Sequence, residues 1–181
     1  MKKIGITNVI NTGCPTMWQL TADHCKYIPV KKAENVVFTI TDYRKDEQND
    51  KQMVDILERN YKKIYAWVQG SNDLEYILSL SNKIEIVDPT LEAYDKLLDS
   101  DLDLDYVGTR LHAGIRALQK KRRSIIIGID NRALEKQRDF NINVINRNEI
   151  NSLDTYLNKE ISTEIKLDVK AIEDWKAQFV K

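Results

Sequence analysis

Asp105-Tyr106-Val107-Gly108-Thr109-Arg110-Leu111-His112 is the stretch that decides the fold. A short strand end stops at a glycine, and a helical pattern starts almost at once. That helix reads over residues 110–121, with Leu111, Ile115 and Leu118 on its buried side. It leads into Ser124-Ile125-Ile126-Ile127-Gly128-Ile129, the most hydrophobic run in the chain and the length of a buried strand. Strand, helix and buried strand in this spacing make a β-α-β unit, and such units imply a parallel sheet.

The same rhythm extends in both directions. Towards the N-terminus, strands are expected at 36–40, 63–68 and 83–87, with helices at 48–62, 73–80 and 91–98. The 48–62 helix has Met53, Ile56, Leu57 and Tyr61 on one apolar face. Towards the C-terminus, a helix at 133–139, a strand at 143–145 and helices at 149–157 and 168–180 follow. The expected fold is α/β and Rossmann-like, a doubly wound, mainly parallel sheet of about five strands. Residues 1–34 fall outside the rhythm and read as an irregular N-terminal or interdomain segment; residues 35–181 read as the α/β domain.

Composition narrows the function classes. In 181 residues, 28 Lys and Arg balance 28 Asp and Glu, so no global field draws the chain to nucleic acid or an anionic membrane. No apolar run approaches the roughly 20 residues of a membrane span. The apolar stretch at 4–10 is too short and polar for a signal core, which leaves a cytoplasmic protein with reduced thiols as the expectation. Cys14, His24 and Cys25 lack paired spacing and a fourth ligand, so no metal is expected. Neither a dinucleotide nor a P-loop glycine signature is present, and no cofactor is expected. Lys120-Lys121-Arg122-Arg123 reads as a solvated basic run complementing a helix end.

In open α/β sheets, ligands bind beyond the carboxyl ends of the strands. The loops at those ends contain Arg44, Gln69, Asp130 and Arg132, together with the corner at 108–112. Gly108 allows a tight turn that leaves room for a ligand, and Thr109 is placed to cap the helix. The first-turn N–H groups favour an anion. Arg110 suits a carboxylate or phosphate, and His112 suits hydrogen-bond donation or proton transfer. The competing reading makes Arg110 a surface ion-pair partner and His112 a satisfied core residue.

Thr109-Arg110-Leu111-His112-Ala113-Gly114 resembles the "RLH" motif of polysaccharide pyruvyl transferases. Asn11-Thr12-Gly13-Cys14-Pro15-Thr16-Met17-Trp18, Thr41-Asp42-Tyr43-Arg44 and Trp67-Val68-Gln69-Gly70 resemble the same family, in order, over most of the chain to about residue 150. The resemblance implies two Rossmann-like halves facing each other across a cleft, similar to GT-B glycosyltransferases, of which this chain matches the C-terminal half. It implies transfer of a pyruvyl group from phosphoenolpyruvate to hydroxyls of a sugar or glycan acceptor, giving a ketal. Arg110 and His112 match the motif positions associated with phosphoenolpyruvate. Because the resemblance covers only one half, the expectation is a fragment or a naturally short protein. It would be inactive alone, with the acceptor wall supplied by a missing half or a second copy. Two further readings are a non-catalytic anion-binding module and a sugar-nucleotide-dependent domain using the same helix start.

Overall fold

The computed structural model of the protein describes Gly5 and residues 9–179. Its strands are β1 (Asn35–Thr39), β2 (Lys63–Trp67), β3 (Glu85–Val87), β4 (Leu104–Gly108), β5 (Ser124–Gly128) and β6 (Val144–Asn146). They form one six-stranded sheet in the order β3-β2-β1-β4-β5-β6, with every pairing parallel. The helices are α1 (Ala22–Cys25), α2 (Glu47–Asn60), α3 (Ser71–Leu80), α4 (Leu91–Leu98), α5 (Leu111–Gln119), α6 (Asn131–Phe140), α7 (Leu153–Leu157) and α8 (Val169–Ala177).

The doubly wound α/β expectation holds, with one more strand than the approximate count of five. All six correspond to strand runs read from the sequence, and the edge strands β3 and β6 are short, with three residues each. The helix expected over 149–157 begins instead as a 3-10 turn, Arg147–Ser152, and becomes α-helical only in α7. Val180, the expected end of the last helix, lies outside the described residues.

Both faces of the sheet are covered, and the strands show why they read as continuous apolar runs. Val36, Phe38, Ile125 and Ile127 face one core, with Met53 and Leu57 of α2, Ile77 of α3 and Leu153 of α7. Val37 and Ile126 point the other way, onto Tyr94 of α4, Ile115 and Leu118 of α5 and Phe140 of α6. Strand side chains alternate between faces, so a strand buried on both must be apolar at every position. Met17, Leu20, Cys25 and Ile28 of the N-terminal segment pack into this second core. Trp67 stacks on Tyr94 with ring centroids 4.2 Å apart.

The basic run does not stay solvated as expected. Lys121 takes a left-handed conformation (φ 57°) directly after α5, which turns Arg122 and Arg123 back toward the protein. Arg122 donates to the carbonyls of Leu98 (2.7 Å), Leu102 (2.7 Å) and Ser100, holding the α4–β4 connection. Arg123 is 1% exposed and pairs with Asp105 at 2.9 Å, while donating to Leu157 O at 3.0 Å. Tyr61 Oη (2.7 Å) and Ala33 N (3.3 Å) also donate to Asp105. An arginine fork has enough donors to meet several carbonyls at once, which is how a charge so deeply buried is tolerated. Burial nonetheless pushes the Asp105 carboxyl above its ordinary value despite Arg123.

Strand order places the functional region. The chain winds from β1 outward to β2 and β3, then returns to lay β4 along the other side of β1. The loops leaving the carboxyl ends of β1 and β4 therefore part in opposite directions and open a crevice, where α/β sheets of this order bind ligands. No helix among the described residues is long and apolar enough to cross a membrane.

Candidate functional site

The corner at 108–112 stands at that crevice. Gly108 pairs with Thr39 across β1 and β4. A Cβ on Gly108 would lie 2.6 Å from the Thr39 N, O and Oγ1 atoms, so only glycine lets the strands approach this closely here. Gly108 is thus the floor of the corner and is buried, rather than a wall that touches a ligand.

Thr109 does not cap the helix. Arg110 occupies the N-cap position of α5, and among the described residues no side chain takes the N–H groups of its first turn. Thr109 sits one residue earlier, donates its N–H to Thr39 O at 2.9 Å and places its hydroxyl 2.9 Å from that of Thr41. The first-turn N–H groups of α5 are left available for an acceptor from outside.

The backbone of Arg110 is held by a ring of hydroxyls. Its N–H donates to Thr39 Oγ1 (3.3 Å), Thr39 Oγ1 lies 2.7 Å from Tyr106 Oη, and Tyr106 donates to Arg110 O (2.8 Å). The carbonyl can only accept, so the Tyr106 proton goes to it and Tyr106 accepts from Thr39. Burial raises the Tyr106 phenol well above its ordinary value, which keeps that proton in place. The side chain of Arg110, 20% exposed, pairs at 2.5 Å with Asp73, 2% exposed. Arg110 is thus an ion-pair partner, as the competing reading has it, but with a buried carboxylate rather than on the open surface. His112 is exposed and makes no hydrogen bond among the described residues, so it is not a satisfied core histidine.

A cleft of about 160 Å³ brings these groups together, lined by Thr109, Arg110, His112, Gln69, Asp130 and Arg132 among others. Six of the eight residues selected from sequence thus share one space. Arg44 lies next door, lining a larger cleft of about 500 Å³ that shares Ile129, Asp130 and Arg132 with the first.

Charges of both signs line the two clefts. Asp130 caps α6 by accepting from Arg132 N (3.0 Å) and also receives the Arg132 guanidinium (Nε 2.9 Å, Nη2 2.6 Å). The Arg132 hydrogen bonds hold the Asp130 carboxyl below its usual range. Arg132 Nη2 also donates to Tyr43 Oη at 2.6 Å, closing the wall between the β1 and β5 loops. Arg44 donates only to Ile129 O, at 3.0 Å, and enters no ion pair among the described residues. Arg110 and Arg132 are each paired with a carboxylate, and in the larger cleft Arg44, Arg132 and Arg147 stand with Asp46, Asp130 and Glu135.

Sequence reasoning missed Thr39, Thr41, Tyr43, Asp73 and Tyr106. Thr41 and Tyr43 stood in a loop already selected, so their position after a strand was an available signal. Thr39 and Tyr106 are strand formers inside strands, and Asp73 is an acidic residue in a helical first turn, so nothing set those three apart.

The model of one protein family, polysaccharide pyruvyl transferase, matches residues 1–131. The chain belongs to the polysaccharide pyruvyl transferase family. No curated protein matches it. The matched stretch takes in β1 to β5 and the whole corner, with Arg44, Gln69, Asp73 and Asp130. It stops one residue before Arg132, and β6, α7 and α8 lie beyond it.

Proposed function

We propose that the corner of this pyruvyl transferase family member binds phosphoenolpyruvate and serves transfer of its pyruvyl group to two hydroxyls of a sugar in a polysaccharide, forming a ketal. The observation that carries this reading is the start of α5, uncapped by any described side chain and flanked by Arg110 and by an exposed His112 that makes no hydrogen bond among the described residues, in a small cleft at the β1–β4 crevice. Phosphoenolpyruvate carries a carboxylate and a phosphate. Free helix N–H groups and an arginine complement such a ligand, and Arg44, which enters no ion pair among the described residues, lies in the adjoining cleft. A cleft of about 160 Å³ lies below the range of about 300–1,000 Å³ usual for larger ligands, which favours a small donor over a sugar nucleotide.

The chemistry assigns separate roles. His112, as general acid, protonates the methylene carbon, leaving an oxocarbenium-like centre on the carbon that bears phosphate. One sugar hydroxyl adds to that carbon and a second displaces phosphate, so two C–O bonds form and one breaks. The two hydroxyl protons leave, which restores His112 and neutralises the departing phosphate. Arg110 grips the donor anion throughout. Gln69, Thr109 and Arg132 line the same cleft within reach of donor or acceptor, and Asp130, kept ionised by Arg132, is an acceptor for a sugar hydroxyl.

Calorimetry on the full chain tests the reading. Phosphoenolpyruvate is expected to bind, and Arg110→Ala to abolish the heat. A preference for a uridine diphosphate sugar would move the assignment to a sugar-nucleotide domain, for which the adjoining cleft of about 500 Å³ offers room. Silence toward both ligands would favour a non-catalytic module. His112→Gln and His112→Ala both keeping full turnover in an active assembly would remove the general-acid role.

A further inference from the structure

Asp73 takes no part in the donor chemistry above, yet it lies beneath it. An acidic residue in a first helical turn ordinarily faces water and complements the helix dipole. Asp73 is instead 2% exposed and accepts donors from three separate loops. Its Oδ1 receives Asp42 N at 3.2 Å, from the loop after β1. Its Oδ2 receives Gln69 N at 3.1 Å, from the loop after β2. The same Oδ2 receives Arg110 Nη2 at 2.5 Å, from the corner after β4. A carboxylate stays in so dry a place only when paired and hydrogen-bonded, and here the pairing joins the three loops that border the crevice.

Arg110 is thereby fixed twice. The Thr39–Tyr106 hydroxyl ring holds its backbone, and Asp73 holds one end of its guanidinium. Among the described residues Nη2 is the one guanidinium nitrogen that bonds to the protein; Nε is buried, and Nη1, which is neither buried nor bonded, is left for a ligand. Arg110 also borders two clefts, one shared with His112 and one on the Asp73 side, so an unrestrained side chain has two places to go.

We propose that Asp73 is the positioning residue for Arg110, aiming its remaining donors at the donor anion and tying the β1, β2 and β4 loops into one unit. The proposal rests on the donor reading of the corner. It also makes a prediction opposite in sign to simple electrostatics. Removing a negative charge beside an anion site should strengthen anion binding if only the field matters. If Asp73 acts by positioning, its removal weakens binding.

Two readouts on the full chain decide this. The first is the Nε–Hε relaxation of Arg110 by NMR without ligand. It is expected to be as rigid as the backbone in the wild type and mobile in Asp73→Asn, with thermal denaturation confirming the fold. The second is phosphoenolpyruvate affinity, which loss of the buried negative charge alone would tighten. Asp73→Asn should bind about tenfold to a hundredfold more weakly, the scale of one charge-assisted hydrogen bond. Asp73→Ser, held to the same readouts, serves if Asp73→Asn unfolds. A mobile Arg110 in the wild type overturns the proposal, as does unchanged Arg110 order or unchanged affinity in a folded variant. A wild type that does not bind phosphoenolpyruvate ends the donor reading instead, and the Arg110 signal alone then decides the positioning role.

Discussion

Gly108→Ala is the sharpest perturbation of the corner. The added Cβ would stand 2.6 Å from the N, O and Oγ1 atoms of Thr39, about 1 Å inside an ordinary contact of roughly 3.5 Å. Two of those three atoms are backbone in the middle of the sheet, so no side-chain rotation relieves the collision. β1 and β4 must part locally. That stretches the bond from Thr109 N to Thr39 O, now 2.9 Å, and the one from Arg110 N to Thr39 Oγ1, now 3.3 Å. Overpacking costs about 1–3 kcal/mol, here at the upper end, and a weakened hydrogen bond adds about 1 kcal/mol. The sum of about 3–4 kcal/mol corresponds to a melting point about 6–16 °C lower for a chain of this size. Thermal denaturation followed by circular dichroism measures it, with Gly70→Ala as the comparison. A Cβ on Gly70 meets nothing within 4 Å, so that variant should stay within about 1 kcal/mol of the wild type. A Gly108→Ala protein that melts within 2 °C of the wild type would refute the reasoning that the strand approach fixes the corner.

Further outcomes follow from the buried polar groups. Thr39→Val removes the hydroxyl that links Arg110 N to Tyr106 and should destabilise by about 1–3 kcal/mol in urea unfolding, with faster amide exchange at Arg110; Thr39→Ser should retain the ring. Arg123→Ala leaves Asp105 buried without its cation and should cost about 3–5 kcal/mol at pH 7. Asp105 already titrates above its ordinary value in the fold through burial, and loss of Arg123 removes the main influence pulling it down. An acid whose folded pKa lies above its unfolded value takes up a proton on folding, so acidity favours the folded state. The deficit of Arg123→Ala should therefore shrink as the pH is lowered from 7 to 5; a deficit that stays constant or grows would contradict this.

Much of the fold was legible because a strand buried on both faces must be apolar throughout. Ile125-Ile126-Ile127 supplies residues to both cores, and that is why the run stood out. What alternation does not encode is strand order. The pairing of Thr39 with Gly108 joins residues far apart in the sequence, and only the assembled sheet brings the loop with Arg44 beside the corner with Arg110. The corner itself was visible from glycine, arginine and histidine placed between strand and helix. Its supports were not, because a threonine and a tyrosine within strands, or an aspartate opening a helix, are ordinary until a neighbour is known. The basic run at 120–123 misled for a related reason. Composition shows charge, but only the left-handed turn at Lys121 sends Arg122 and Arg123 inward.

Amide chemical-shift mapping of the full chain with phosphoenolpyruvate tests the central claim most directly. Saturable shifts are expected at Thr109, Arg110, Leu111 and His112, spreading to Gln69, Asp130 and Arg132 around the same cleft. Saturable shifts confined to another surface, with the start of α5 unmoved, would contradict it.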